Sequence, residues 1–210
     1  MTEIAGYSEL KERLQNVSMG QRFLVAIAGA PGAGKSTLAD QLARDLNETR
    51  ADCAAVVPMD GFHLDDIVLN QRGWRARKGA PHTFDVAGLG HLLGRMRKNT
   101  EAEIAIPVFD RSIEIARAGA RFIPQSVDIL LVEGNYLLLD QDPWSGLTPA
   151  FDLTVMISVE EDELIRRLQG RWVRHGLSPQ EIEDKLEEND MPNGRLVIAA
   201  SRIADVILTS

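Results

Sequence analysis

Residues 29–37, Gly-Ala-Pro-Gly-Ala-Gly-Lys-Ser-Thr, combine small residues with one lysine and two hydroxyl side chains. Gly29, Gly34, Lys35 and Ser36 satisfy the spacing G-x-x-x-x-G-K-[ST], in which exposed backbone N–H groups surround a phosphate. In such a loop the lysine contacts the β and γ phosphates of a nucleotide, and the hydroxyl binds its Mg²⁺. The alternative is a glycine-rich turn without a ligand. An apolar run before the segment and a helical pattern after it favour the phosphate-binding interpretation. The predicted loop comprises Gly29, Ala30, Pro31, Gly32, Ala33, Gly34, Lys35, Ser36 and Thr37.

Two carboxylates follow other apolar runs. Asp60 stands in "PMDGFHLDD", and Glu133 ends "DILLVE". The carboxyl ends of parallel strands border the ligand crevice of an α/β sheet, so both side chains are expected there. Asp60 could accept the proton of an attacking hydroxyl. The alternatives are that Asp60 only forms an Asp-Gly turn and that Glu133 is a solvated carboxylate at a strand end.

A group of arginines occupies the predicted helix Glu160–Arg174. Arg167, Arg171 and Arg174 are spaced i, i+4 and i+7 and therefore share one face. Planar guanidinium groups suit the charge on a phosphoryl group during transfer, because they donate paired hydrogen bonds. The alternative is a solvated basic face that pairs with the acidic residues at the start of the same helix.

The elements that would position these residues can be read from the apolar pattern. Five short runs that are apolar on both faces predict a parallel sheet covered by helices: Phe23–Ala28, Cys53–Met59, Ile129–Val132, Leu153–Ser158 and Asp205–Thr209. Helical patterns lie between them: Ser36–Leu46, Val86–Arg97, Glu160–Arg174 and Ser178–Asn189, with a further short amphipathic helix near the N-terminus. We therefore predict a three-layer α/β fold of the P-loop NTPase type, with a mainly parallel five-stranded core sheet. Residues 1–210 are expected to form a single domain, in which the irregular segment 60–125 supplies insertions on the substrate side.

Composition limits the classes of partner. The formal net charge of −8 argues against general binding to nucleic acid or to an anionic membrane. We find no stretch of about 20 apolar residues, and charged residues interrupt any signal-peptide core, so a cytoplasmic protein is expected. Cys53 is the only cysteine, which excludes an intrachain disulfide and predicts a small buried side chain in a strand.

A phosphate-binding loop by itself leaves several functions open. The chain has no Asn-Lys-x-Asp sequence, which argues against a GTPase. A small-molecule kinase, a P-loop ATPase without a small acceptor and a regulator that binds nucleotide without turnover all remain. A base at Asp60 and a group of arginines favour the kinase.

The motifs occur in a recognisable order. "GAPGAGKST", "MDGFH", "RKGAPHTFD", "PVFDR" and "DILLVEGNYLL", followed by an arginine-rich helix, resemble the uridine kinase, pantothenate kinase and phosphoribulokinase branch of P-loop kinases. The sequence is most similar to short bacterial members described as nucleoside/nucleotide-kinase-like proteins or fructose transport system kinases. The resemblance implies ATP and Mg²⁺ as cofactors, Asp60 as the base, Glu133 with Ser36 at the metal, and an arginine-bearing lid over about 160–178. It also implies transfer of the γ-phosphoryl group to a hydroxyl of a small polar metabolite, such as a sugar, a nucleoside or a pantothenate-like alcohol.

The acceptor-binding motifs depart from those of the better-known members. Phe84 stands where pantothenate kinases usually have tyrosine, and Glu114 stands where uridine kinases have histidine. His63, His82 and Asp110 lie on the substrate-side segments and are candidate acceptor contacts. The sequence identifies neither the acceptor nor the oligomeric state, and it offers only the region 189–193 as a place to look for adenine contacts.

Overall fold

A computed structural model describes residues 3–18 and 20–209, in which six parallel strands form the central sheet and two antiparallel strands form a separate hairpin. The strands are β1 Glu3–Ile4, β2 Phe23–Gly29, β3 Ala54–Pro58, β4 Glu103–Asp110, β5 Ile115–Pro124, β6 Ile129–Glu133, β7 Leu153–Ser158 and β8 Val206–Thr209. The order across the central sheet is β1-β8-β7-β2-β6-β3, and β4 pairs with β5. The five predicted strands are therefore confirmed, and the two-residue strand β1 extends the sheet to six.

The α-helices follow the predicted alternation with the strands. They are α1 Tyr7–Gln15, α2 Lys35–Thr49, α3 Asp66–Gln71, α4 Val86–Lys98, α5 Glu161–Arg174, α6 Pro179–Lys185 and α7 Met191–Ala200. A π-helical segment, Leu186–Asp190, joins α6 to α7, so the predicted helix Ser178–Asn189 is in fact part of a longer helical region. Within the described ranges, no helix has both the length and the apolar character needed to cross a membrane.

Two apolar layers enclose the sheet, as the prediction of three layers requires. Leu24 and Ala26 of β2 face a core that contains α4, whereas Val25 and Ile27 face a core that contains α1 and α2. Because successive residues of a strand point to opposite faces, a strand that is covered on both faces is mostly apolar. A third, smaller cluster joins α5 to α6 and the π-helical segment.

The irregular segment 60–125 contains a feature that the sequence analysis did not predict. Strands β4 and β5 form a hairpin whose register shifts between Ile106 and Val108. The hairpin contacts the turn Met59–Phe62, which directly follows β3. Gly61 is essential to this approach, because a Cβ there would collide with the carbonyl oxygen of Pro107. The inserted segment is thus packed against the end of β3, where Asp60 lies.

Candidate active site

A cleft of about 1010 Å³ borders the carboxyl ends of the strands and the phosphate-binding loop. The loop leaves β2 at Gly29, where a Cβ would lie 3.1 Å from the carbonyl oxygen of Ile157. Gly32 and Gly34 adopt φ values of 82° and 95°, a region that side chains disfavour. Glycine at these positions therefore allows the tight loop that leads into α2.

Lys35 is the buried cation of this loop. Its Nζ donates a hydrogen bond to the carbonyl oxygen of Ala30 at 2.9 Å. Burial lowers the pKa of Lys35 to about 8, while the negative charges of Glu133 and Asp60 oppose the shift. An amine held in this way gains interaction energy when an anion such as a phosphate approaches it.

Glu133 lies at the end of β6, beside the loop, and is 7% exposed. Burial raises its pKa to about 7, and repulsion from Asp60 adds to the shift, whereas Lys35 and a hydrogen bond from Ser36 act in the opposite direction. The metal candidates Ser36 and Glu133 are therefore together. The described residues contain no cluster of three or more His, Cys, Asp or Glu that could hold a metal by themselves.

Asp60 lies in the turn after β3 and lines the same cleft. Arg111, from the β4–β5 hairpin, donates from Nη2 to Asp60 Oδ2 at 2.7 Å. This ion pair fixes the orientation of the carboxylate from outside the sheet. Arg111 was not among the predicted site residues, although it follows directly on the "PVFD" motif.

His63 also lines the cleft. Its Nδ1 lies 2.8 Å from the carbonyl oxygen of Asp60, which can only accept, so we assign the proton to Nδ1. The ring packs against Phe84 and Phe109, with centroid distances of 4.1 Å and 4.7 Å. Burial lowers the pKa of His63. A neutral ring in this tautomer leaves Nε2 as a hydrogen-bond acceptor.

His82 and Asp110 are not brought into the cleft. The His82 ring meets the Trp74 ring edge-on at 4.9 Å. Asp110 accepts hydrogen bonds from Ser112 and Arg117 within its own hairpin. Neither residue lines the cleft, so the structure does not support a direct contact of either with an acceptor.

The predicted arginine face closes the cleft from above the loop. Arg167, Arg171 and Arg174 all line it. Arg167 is tied to Glu163 at 2.6 Å and reaches the carbonyl oxygen of Ala33 at 3.4 Å. Burial lowers the pKa of Arg171, and the neighbouring charge of Arg111 contributes to the same shift. The guanidinium groups of Arg111 and Arg171 repel one another, and an anion bound near both would offset that repulsion.

Lys78 and Asn189 are further cleft residues. Lys78 was not singled out from the sequence, although it belongs to the "RKGAPHTFD" motif, and Asn189 begins the region 189–193 that the sequence offered for adenine contacts. Lys78 Nζ donates to Asp66 and to the carbonyl oxygen of Glu114, both at 2.6 Å. The Asn189 side chain donates to the Lys78 carbonyl at 2.9 Å. The segment 189–193 therefore holds the substrate-side loop in place.

Comparison with known proteins places these residues in a family. Residues 24–209 match the model of the Phosphoribulokinase / Uridine kinase family. A Schizosaccharomyces pombe protein named "Putative uridine kinase C227.14" is 34% identical over 214 residues, covering 98% of this chain and 91% of that protein. A pantothenate kinase of Enterococcus faecalis is 31% identical over 140 residues, covering 66% of this chain and 45% of the relative.

A solved structure supports the same assignment. The "putative fructose transport system kinase" from Silicibacter sp. TM1040 superimposes with a TM-score of 0.89 at 38% identity, covering 97% of this chain and 98% of the other. The resemblance inferred from the motifs is thus confirmed. The chain is a small-molecule kinase that belongs to the phosphoribulokinase/uridine kinase family.

Proposed function

We propose that the protein transfers the γ-phosphoryl group of Mg-ATP to a hydroxyl of a sugar, a nucleoside or a pantothenate-like alcohol. The observation that carries this proposal is that the phosphate-binding loop and Asp60 line one cleft. The loop ends β2, and Asp60 follows β3, two strands away across β6. A phosphate held by the loop and a hydroxyl held beside Asp60 would therefore face one another.

The donors beside the loop fit Mg²⁺. This ion binds through one or two protein oxygens and takes its other ligands from phosphate and water, which matches the hydroxyl of Ser36 and the carboxylate of Glu133. Glu133 carries a raised pKa because its charge is buried, and a divalent cation would offset that cost. When bound, the cation neutralises charge on the phosphate oxygens.

The protein residues would act in a simple sequence. Lys35 and the loop N–H groups hold the β and γ phosphates. Asp60 accepts the proton as the acceptor oxygen bonds to phosphorus and the bond to the ADP oxygen breaks. Arg167, Arg171 and Arg174 stabilise the charge on the transferring group. His63 Nε2 would accept a hydrogen bond from an acceptor hydroxyl.

The experiment compares the replacement of two aspartates, each of which pairs with an arginine. Asp60→Asn removes the base and the negative charge that faces Arg111 at 2.7 Å, and Asp140→Asn removes the charge of an equally short pair with Arg202 outside the cleft. Acceptor-dependent ADP release is measured over a broad metabolite screen, together with Mg-ATP binding. We expect Asp60→Asn to lower phosphoryl transfer by about 10² to 10⁴ with unchanged ATP affinity, and Asp140→Asn to have little effect.

Two results would contradict the proposal. Wild-type turnover in Asp60→Asn would make Asp60 a structural turn residue. A wild-type protein that binds ATP and phosphorylates nothing in the screen would favour a nucleotide-binding regulator or an ATPase without a small-molecule acceptor.

A further inference from the structure

The half of the cleft around Asp60 carries three cations. They are Arg75 and Lys78, from the segment after α3, and Arg111, from the tip of the β4–β5 hairpin. Arg75 and Lys78 share a single carboxylate, that of Asp66, at 2.8 Å and 2.6 Å. Arg111 pairs with Asp60 at 2.7 Å. Because one aspartate serves two cations, this half of the cleft keeps positive charge close to Asp60.

Arg111 has several donors that are not used. A guanidinium group carries five N–H donors. Toward the residues that the structure describes, Arg111 donates one hydrogen bond, from Nη2 to Asp60, and its side chain is 48% exposed. The other donors are open to a ligand in the cleft. Carboxylates and phosphates are the groups whose oxygens best match the fork of a guanidinium group.

Lys78 approaches the same part of the cleft wall. Its Nζ lies 5.3 Å from the centroid of the Phe109 ring, and Arg111 Cζ lies 5.8 Å from that centroid. Lys78 Nζ also donates to the backbone carbonyl of Glu114 at 2.6 Å, which attaches the segment after α3 to the hairpin tip. Glu114 is an acidic lining residue, but it is exposed at that tip and meets Lys78 through its backbone. Two cations therefore approach one aromatic ring.

The ring of His63 is close to both cations. Burial lowers its pKa, and the charges of Lys78 and Arg111 add to the shift, whereas the charge of Asp60 opposes it. A neutral ring that packs against Phe109 offers surface to the carbon skeleton of a ligand but no charge to an anion. Any negative charge on the ligand would therefore be balanced by Arg111 and Lys78.

We propose that Arg111, together with Lys78, binds an anionic group of the acceptor, either a carboxylate or a phosphate. This inference rests on the proposed function. It narrows the acceptor to a hydroxy acid or a phosphorylated alcohol and excludes an uncharged sugar or nucleoside. Because Arg111 contacts Asp60, the anionic group lies beside the base, and only a short stretch of the acceptor separates it from the reacting hydroxyl. During transfer the hydroxyl oxygen bonds to phosphorus, its proton passes to Asp60, and the bond to the ADP oxygen breaks.

Matched compounds in the metabolite screen test the charge of the acceptor. One set is glycerol, glycerate and glycerol 3-phosphate, and the other is ribose, ribonate and ribose 5-phosphate. The members of a set share a carbon chain and differ in charge, and the carboxylate and phosphate members show which anion the site takes. An accepted compound outside these sets is compared with its own uncharged analogue. We expect kcat/KM for the charged compound to be about 10- to 100-fold higher, as for a hydrogen bond to a charged group.

Arg111→Gln and Arg117→Gln are the matched variants. Both arginines belong to the β4–β5 hairpin and pair with an aspartate, but Arg117 pairs with Asp110 and does not line the cleft. Arg111→Gln should raise the KM for the charged acceptor about 10- to 100-fold and change the KM for ATP by less than about threefold. Arg111→Lys keeps the charge and should recover part of the loss. Arg117→Gln should change neither value, and thermal unfolding checks that each variant is folded.

The possible failures are distinguishable. If the wild type turns over the uncharged compounds as fast as the charged ones, the anion site is refuted and the kinase activity stands. If Arg111→Gln lowers kcat and leaves the acceptor KM unchanged, Arg111 only positions Asp60 and the proposal is overturned. If the protein binds Mg-ATP and phosphorylates no compound in the screen, the proposed function fails and the acceptor site fails with it.

Discussion

At the scale of single residues, the site contains two neighbouring buried groups of opposite charge, Lys35 and Glu133, whose charged forms are both destabilised by burial. Lys35 has a lowered pKa and Glu133 a raised one, and burial is the main cause of both shifts. Each group in its charged form lacks the hydration that it would have in the unfolded chain. The phosphates and the cation of a nucleotide complex would supply the missing counter-charges, so the ligand-free site is built for binding rather than for stability.

The variant Glu133→Gln, studied in metal-free protein, tests whether ionisation of the buried Glu133 carboxyl group lowers the stability of the fold. The folded pKa of about 7 lies above the ordinary value of 4.5, so the folded state keeps its proton longer than the unfolded state does. The free energy of unfolding of the wild type should therefore fall as pH rises from about 4.5 to 7, by on the order of 2 kcal/mol from this group. Glu133→Gln should abolish that fall. Denaturant titrations at several pH values measure it.

Glu101→Gln is the control for this pH dependence. Arg95 lowers the pKa of Glu101, so this carboxylate is largely ionised in both the folded and the unfolded state above about pH 5.5. Its replacement should leave the slope between about pH 5.5 and 7 unchanged. An identical slope in wild type and Glu133→Gln would show that the buried carboxylate does not titrate as described.

At the scale of elements, helix α5, which lies within the predicted lid, packs against the phosphate-binding loop. A Cβ at Gly32 would lie 3.0 Å from Leu168 Cγ, so the loop and the helix are in close contact. The buried side of α5 places Arg171 in the cleft, whereas Arg166 is 73% exposed and pairs with Glu163. The same helix therefore presents one arginine to the cleft and one to the solvent.

Arg171→Ala and Arg166→Ala form a matched pair of lid variants. If Arg171 acts mainly on the charge that develops during transfer, its loss should lower kcat by about 10- to 100-fold and change the KM for ATP by less than about threefold. Arg166→Ala should change neither value appreciably. Steady-state kinetics with an acceptor from the metabolite screen measure both. A change confined to KM would mean that Arg171 binds ground-state nucleotide only.

At the scale of the whole molecule, one parallel sheet positions the phosphate-binding loop, Glu133 and Asp60. The phosphate-binding loop, Glu133 and Asp60 follow β2, β6 and β3, three strands that are adjacent in the order β2-β6-β3. The lid follows β7 on the other side of β2. Because all these strands are parallel, their carboxyl ends meet at one edge, and binding there should stabilise the fold as a whole.

Nucleotide binding should therefore raise the thermal stability of the protein. Mg-ATP at about 100 times its dissociation constant should add about 2.7 kcal/mol to the free energy of unfolding, which corresponds to roughly 5–10 °C in Tm for a chain of this size. Differential scanning calorimetry with and without Mg-ATP measures the shift. Lys35→Ala should abolish it, and Lys98→Ala, at the exposed end of α4, should retain it. An equal shift in both variants would contradict the assigned role of Lys35.

Local sequence patterns were sufficient to predict the central sheet and the phosphate-binding loop. The strand β2, the glycines after it and helix α2 are contiguous, so their arrangement needs no distant contact to be recognised. The central strands are mostly apolar because both faces of the sheet are covered, and this pattern is visible in the sequence. Asp60 and Glu133 could be placed at the cleft by the same reasoning, since each directly follows such a strand.

Only the tertiary structure decided which other polar residues meet at the site. Arg111 and Asp60 are 51 positions apart, and the hairpin β4–β5 brings them together. Asp110, next to Arg111, instead accepts hydrogen bonds from Ser112 and Arg117 within the hairpin. Tyr7, which lines the cleft, donates from its hydroxyl to Asp45, 38 positions away. Contacts over such separations depend on how the elements pack, and no local pattern in the sequence carries that information.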